Sequence, residues 1–180
     1  MFKEIAQPGS RTGTYIGETA VGRGLFAARP FRAGEFVGSV DGRFLRDAPN
    51  YGSDYCIGLD DTTTLEPTPP FSLLNHGCRP NCAVFYDCEE ENGSVEGYDV
   101  WIETIRDLER GEELTIDYAW PSDAAIPCKC GSTQCRGWIC REDELHNLQR
   151  TSTVEESARD VTPPTEVASD ELLDPQSNVG

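Results

Sequence analysis

Short apolar runs broken by Gly, Pro and acidic residues recur from the N-terminus to about residue 120. "TYIGETAVGRGLF" (14–26) alternates apolar pieces with Gly. "EFVGSV" (35–40) and "YCIGL" (55–59) read as short strands bounded by turns. "NCAVFY" (81–86) and "YDVWIETI" (98–105) are better strands, because β-branched and aromatic residues suit a half-buried pleated surface. Between them "DCEEENGSVEG" (87–97) reads as an acidic turn region, and "DDTTTLEPTPP" (60–70) as a loop. "RDLERGEELTIDYAW" (106–120) holds a turn at Arg110-Gly111 and a strand around Leu114 to Asp117. One stretch, "REDELHNLQ" (141–149), has a helical look, with acids in its first turn. The pattern predicts a mostly β protein with little helix and no internal repeat.

Composition changes this picture at the C-terminal end. Residues 151–180 carry seven acids against Arg159, hold no aromatic residue and are interrupted by Pro163-Pro164. Such a segment buries too little apolar surface to offset chain entropy, and the expectation is a disordered acidic tail. The other 150 of the 180 residues are one domain by size. The tail accounts for −6 of the net charge of −17, and the body carries the remaining −11. That body should repel nucleic-acid backbones and attract a basic partner such as a lysine-rich peptide, although acidity alone also confers solubility. No run approaches the roughly 20 apolar residues of a membrane span, and "MFKEIAQPGS" lacks the apolar region of a signal peptide. These features predict an intracellular protein, without separating nucleus from cytoplasm. Its eight Cys are then thiols or metal ligands rather than disulfides.

"CKCGSTQC" places Cys128, Cys130 and Cys135 in a C-x-C-x4-C spacing around a Gly turn, which suits one tetrahedral zinc ion. Spacing nominates Cys140 as the nearby fourth ligand and Cys78, from "NHGCRPNC" (75–82), as the distant one, and does not choose between them. With Cys78 chosen, Cys56, Cys82 and Cys88 remain, and their default role is as small buried apolar residues.

Three motifs stand in order, "VGRGLFA" (21–27), "NHGCRPN" (75–81) and "GEELTIDY" (111–118), followed by "CKCGSTQCRG" (128–137). The ordered set resembles the SET-domain protein lysine methyltransferases with a post-SET zinc segment, over about residues 12–141. The resemblance implies a SET fold of small β-sheets in which the "NHGC" and "ELTIDY" segments come together in a pseudoknot, with short helices and one structural Zn2+ ion. It divides the chain into a lead-in (1–11), a SET domain (12–120), a zinc segment (121–141), a short helix (142–150) and the tail. S-adenosylmethionine would lie against the backbone of Gly22, Arg23 and Gly24 and against Asn75 and His76. Glycines suit such a place because backbone approaches a ligand closely where side chains are missing. Trp138 would pack on the adenine, with core packing as its rival role. Tyr118 corresponds to the catalytic Tyr, and Tyr55 to an aromatic position lining the lysine channel, with Tyr51 a weaker alternative. Cys78 would join Cys128, Cys130 and Cys135 on the zinc, while Arg79-Pro80-Asn81 turns the chain into the next strand.

The implied activity is methyl transfer from S-adenosylmethionine to the ε-amine of a lysine in a basic protein or peptide, a histone tail being one candidate. The rival reading is a SET-fold module that binds peptide or cofactor without turnover, which methyl incorporation would exclude. Departures from the family pattern carry further expectations. Ile116 stands where relatives usually have Phe or Tyr, so di- or trimethylation is sterically open. Gly77 replaces the usual Ser, and Ser72 stands where many relatives carry Arg. The insert between Leu59 and Phe71 is short, and no Cys-rich segment precedes residue 12, so substrate choice stays open. Nothing in the chain reads as a coiled coil or dimer interface.

Overall fold

The computed structural model describes residues 13–47, 53–91 and 94–148. The lead-in, Tyr51, the end of the expected helix and the whole acidic tail lie outside the described residues. The chain divides into two units, Met1–Leu145 and His146–Gly180, and every element named below belongs to the first. Among the described residues no helix is long and apolar enough to cross a membrane.

Twelve strands are found among the described residues: β1 Thr14–Thr19, β2 Gly22–Ala27, β3 Phe36–Ser39, β4 Gly42–Arg46, β5 Ile57–Gly58, β6 Thr63–Pro67, β7 Asn75–His76, β8 Cys82–Glu91, β9 Ser94–Thr104, β10 Glu113–Ile116, β11 Ile126–Pro127 and β12 Trp138–Ile139. They form four small sheets, ordered β1-β2-β10-β7, β3-β9-β8, β4-β6-β5 and β11-β12. Among the described residues helix is confined to short turns, including Phe71–Leu73, Ser122–Ala124 and Glu142–Glu144. The expected helix at 141–149 therefore begins as a 3-10 turn.

Two loop expectations are overturned. Residues 63–67 are the central strand of their sheet, because Thr63, Leu65 and Pro67 alternate inward and are buried. The Pro-Thr-Pro-Pro that follows gave the stretch its loop-like look, but the β-branched and apolar alternation before it prevails. Residues 87–97 are likewise mostly strand. β8 and β9 pair from Cys82↔Thr104 out to Glu91↔Ser94. Asp87 and Glu89 there are exposed, and an exposed strand tolerates such charge.

One core joins the three larger sheets. Leu25 and Leu114 face each other directly across β2 and β10, both fully buried. Leu65 from β6, Ile102 from β9 and the bridged pair Phe31 and Leu108 complete it. Full burial of a Leu or Phe side chain stabilises by about 1.5–3 kcal/mol, so these residues set the positions of the sheet edges.

β7 lies parallel to β10, with Asn75 opposite Thr115 and His76 opposite Ile116. A strand of two residues needs outside support, and Asn81 supplies it. Its buried amide donates to the Glu113 carbonyl at 2.8 Å and accepts from the Thr115 N–H at 2.8 Å. Its backbone carbonyl accepts from Ile105 N–H at 2.8 Å, joining the same residue to the end of β9. The Asn side chain thus stands in for a backbone peptide and binds the Arg79-Pro80-Asn81 turn to β10. Asn81→Ala leaves buried backbone groups short of partners, at a cost of about 2–4 kcal/mol. The zinc-supplemented chain should then melt about 5–10 °C lower by circular dichroism. An unchanged midpoint would exclude this clamp.

Candidate active site and metal centre

The β7–β10 pair carries most of the site. Asn75 Nδ2 donates to Glu113 Oε1 at 2.7 Å and to the Arg23 carbonyl at 3.1 Å, tying β7 across β10 to β2. Its side-chain oxygen is the part left for a ligand. A Cβ on Gly24 would lie 2.6 Å from Glu113 Oε1 and 2.9 Å from Asn75 Nδ2. Any larger residue there would have to push these side chains aside. β7 is the outer strand of its sheet, so one backbone edge of Asn75-His76 has no strand neighbour among the described residues. A bare backbone at Gly22-Arg23-Gly24 beside an open strand edge is a cradle that suits a cofactor held by main-chain groups.

His76 is buried, and its ring is occupied from both sides. The Tyr118 backbone N–H donates to Nδ1 at 3.2 Å. Nδ1 must therefore hold a lone pair, which leaves the proton of the neutral ring on Nε2, 3.3 Å from Cys78 Sγ. Burial lowers the His76 pKa, with Asp117 opposing and Arg136 assisting, so the neutral ring persists. The imidazole thus links the Tyr118 backbone to the thiol cluster, and only the main chain of His76 remains for a cofactor.

Tyr118 donates its hydroxyl to the Leu74 carbonyl at 2.8 Å. Its ring lies edge-on to His76 and tilted against Trp120, each with centroids 5.5 Å apart. Burial, reinforced by Tyr55 and Asp54, pushes its phenol up to about 12. The hydroxyl therefore stays protonated at neutral pH and can position a nucleophile, but it is no base. Tyr118, Tyr55 and Ile116 line one cavity of about 200 Å³, with Leu74 and Phe71 on its wall. The two tyrosines separated by 63 positions in the sequence thus face the same space.

The sulfurs of Cys78, Cys128, Cys130 and Cys135 all lie within 4.8 Å of one another. Cys78 Sγ is 3.6 Å from Cys128 Sγ and 3.8 Å from Cys135 Sγ. Tetrahedral thiolates at about 2.3 Å from zinc lie about 3.8 Å apart, so the four fit one ion. Backbone N–H groups of Cys130 and Gly137 point at the sulfurs of Cys128 and Cys135 at 3.4 Å, and such donors favour thiolates. Burial would raise Cys130, but backbone donors from Cys78 and Ser132 outweigh it and bring the thiol down to about 7. Cys140, the nearby alternative, is fully buried elsewhere and donates to the Arg141 carbonyl at 3.3 Å.

The remaining cysteines divide. Cys82 is buried in the core as expected, and burial pushes its thiol up to about 12. Cys56 is half-buried, and burial together with its bond to Glu66 pushes it up to about 11. Cys88 is exposed on β8, so the expectation of burial fails there.

Sequence reasoning missed three contributors. Asn81 and Glu113 were hidden because their roles depend on partners more than 30 positions away. Arg136 was the third. Its guanidinium grips Asp117 with two bonds of 2.6 and 2.7 Å, joining the Cys135 loop to the residue before Tyr118. Asp117 is held below the usual carboxylate range, since Arg136 outweighs the opposing effect of burial. The fork-shaped pairing of Arg and carboxylate also sets orientation. Trp138 is half-buried on β12 opposite Pro127, in a different sheet from Gly22–Gly24 and Asn75.

Comparison with known proteins agrees with this geometry. The family description "SET domain" matches residues 22–119, more than half of the chain, and the protein belongs to that family. The H3 lysine-4 specific histone-lysine N-methyltransferase of Aspergillus oryzae is 39% identical over 95 residues, covering 49% of this chain and 7% of that protein. Histone-lysine N-methyltransferase SETD1 of Drosophila melanogaster is 34% identical over 132 residues, covering 64% of this chain and 8% of the relative. Human histone-lysine N-methyltransferase 2B is 33% identical over 135 residues, covering 66% and 5%. The chain thus spans less than a tenth of the length of these relatives. Among solved structures, KRYPTONITE in complex with mCHG DNA and SAH superposes with a TM-score of 0.59 at 21% identity, over 72% of this chain and 29% of that one, which is a likeness of fold.

The metal assignment has a direct check. The wild type purified from zinc-supplemented cells should carry roughly one zinc per chain by elemental analysis, and Cys78→Ser should lose most of it. Cys140→Ser should keep it. The opposite result would remove Cys78 from the ligand set.

Proposed function

We propose that this protein transfers a methyl group from S-adenosylmethionine to the ε-amine of a lysine in a basic protein, with histone tails as the leading substrate class. The observation that carries the proposal is the placement of Tyr118. Its protonated hydroxyl is anchored by the carbonyl of Leu74, the residue before Asn75 of the cofactor cradle, and shares a cavity with Tyr55. The relatives named as histone-lysine methyltransferases support the same chemistry. By the same kinship the protein works inside the cell, on chromatin.

When bound, S-adenosylmethionine supplies a methyl group on a positively charged sulfur. Gly22, Arg23, Gly24, Asn75 and the main chain of His76 would hold it, and Trp138 would cover the adenine. The target lysine must lose its proton before it can accept the methyl. For a free lysine at pH 7 that costs about 4.6 kcal/mol. The apolar walls of the cavity, Ile57, Phe71, Val84 and Ile116, reduce this cost by disfavouring the ammonium form, against the opposing effect of Asp54 and Asp117 in the same lining. Tyr118 and the Leu74 carbonyl then orient the neutral amine, so catalysis is chiefly positioning in a dry channel. One zinc ion on Cys78, Cys128, Cys130 and Cys135 would be structural, and would hold Arg136 against Asp117. The segment 121–141 then acts as a post-SET closure of the site. The acidic body would draw in basic substrates and repel nucleic acid.

Labelled S-adenosylmethionine should mark core histones with the wild type, and Tyr118→Phe should lower the rate by about 100-fold or more. Cofactor binding without label on histones or on any lysate protein would leave a non-catalytic binding module. The aliphatic Ile116 in the cavity wall leaves room for more than one methyl, so mass spectrometry after long incubation should find di- or trimethyl-lysine. Ile116→Tyr should shift the product toward monomethyl-lysine. Exclusively monomethyl product from the wild type would contradict this account of the wall.

A further inference from the structure

A second and larger cavity, about 480 Å³, lies away from Tyr118, at the corner where β3 leaves its sheet for β4. The register of β3 on β9 ends at Ser39↔Trp101, with a last bond from Val40 N–H to the Val100 carbonyl. From Asp41 the chain departs, and among the described residues Tyr98-Asp99 of β9 keep a strand neighbour only on the β8 side. Phe36, Phe44, Tyr98 and Trp101 line the resulting notch, together with the carboxylates of Asp41, Asp87 and Asp99. Among the described residues lining it there is no lysine or arginine.

Three features of this notch are those of a cation site. Its aromatic residues are large and open to solvent: Phe36 is 53% exposed and Phe44 42%. Exposed rings gathered around a concavity mark a binding surface, and ring faces attract ammonium and guanidinium groups. The rings are also held in place. Phe44 stacks on Tyr98, whose hydroxyl bonds to Asp60, and Trp101 stacks on Phe85 while its N–H donates to Glu103. Finally, Asp87 and Asp99 sit directly opposite each other on β8 and β9. Like charges in that relation repel and destabilise the sheet. A positive group placed between them relieves the repulsion.

The notch also stands within reach of the proposed lysine channel. Phe44 and Ile57 are both in register with Leu65, on the two outer strands of the β4-β6-β5 sheet. Phe44 lines the notch, and Ile57 lines the Tyr118 cavity. Two strand spacings separate them, about 10 Å, which an extended peptide covers in roughly three to six residues including the path around the edge. We propose that the notch lined by Phe36, Trp101, Asp87 and Asp99, with Phe44 at its rim, is an accessory site for a second basic side chain of the substrate, an arginine or lysine about three to six residues from the methylated lysine. This deepens the methyltransferase reading and rests on it for the identity of the peptide.

The test uses the full zinc-loaded chain and a fluorescent ten-residue peptide containing three arginines and no lysine, followed by anisotropy. The Asp87→Asn, Asp99→Asn double variant keeps the shape and the acceptor for the Cys88 N–H, and should bind this peptide about tenfold more weakly. Its thermal midpoint should rise, because the facing charges are gone. Glu109→Gln with Asp123→Asn makes the same charge change elsewhere and should bind within about twofold of wild type. Equal loss in both double variants, or no loss in either, overturns the proposal. In methyl-transfer assays on a lysine-containing peptide the notch variant should raise KM and leave kcat unchanged. That difference should vanish when the neighbouring arginines are replaced by glutamine. Methyl transfer with an unaltered KM in the notch variant rejects the accessory site and keeps the enzyme. Notch-dependent arginine binding with no methyl transfer by any chain does the reverse.

Discussion

The parallel pairing of β7 with β10 is the contact on which the site depends. It brings residues 75–76 beside residues 115–116 across 40 positions of chain. Two residues of ladder have little stability of their own. The pair persists because Asn81 binds the backbone of β10 at two points, and because Asn75 and Glu113 bind it to β2. Behind it, Leu25 and Leu114 supply the apolar burial that polar clamps cannot. Directional bonds set the register and hydrophobic burial supplies the free energy, a division of labour seen wherever a short strand carries function.

From that contact the electrostatics follow in sequence. The Tyr118 N–H selects the tautomer of His76, and His76 directs its remaining proton at Cys78. Arg136, one residue past Cys135, grips Asp117, one residue before Tyr118. The thiol cluster and the tyrosine are therefore joined by two separate polar bridges. A metal in the cluster would fix both bridges. It would give a structural zinc ion a route to the proposed reacting centre without any contact with substrate.

Much of this was legible in the residues. The C-x-C-x4-C spacing announced a metal site, and the four ordered motifs announced the family that the match over residues 22–119 establishes. Strands with strong β-branched and aromatic content were found where expected. Strands whose composition is acidic or Pro-bounded were not. β6 and the outer part of the β8–β9 hairpin read as loops because local composition there reflects solvent exposure, while their pairing is decided by partners along the sheet. The choice between Cys78 and Cys140 could not be made from spacing, since either satisfies it.

What the amino-acid sequence determined by itself is the chemistry available: thiols at metal spacing, a tyrosine at the end of a β-branched run, glycines where backbone must come close, and a strongly acidic surface. These properties belong to residue types and their near neighbours. The tertiary structure alone decided which of them act together. It drew Cys78 into the thiol cluster and buried Cys140 apart from it, placed Tyr55 and Tyr118 on one cavity, and set Asp87 against Asp99 in a notch that Phe36 and Trp101 also line. Each of these is a contact between positions far apart in the chain. Such contacts are selected by the burial and hydrogen bonding of the whole fold, which no local pattern encodes.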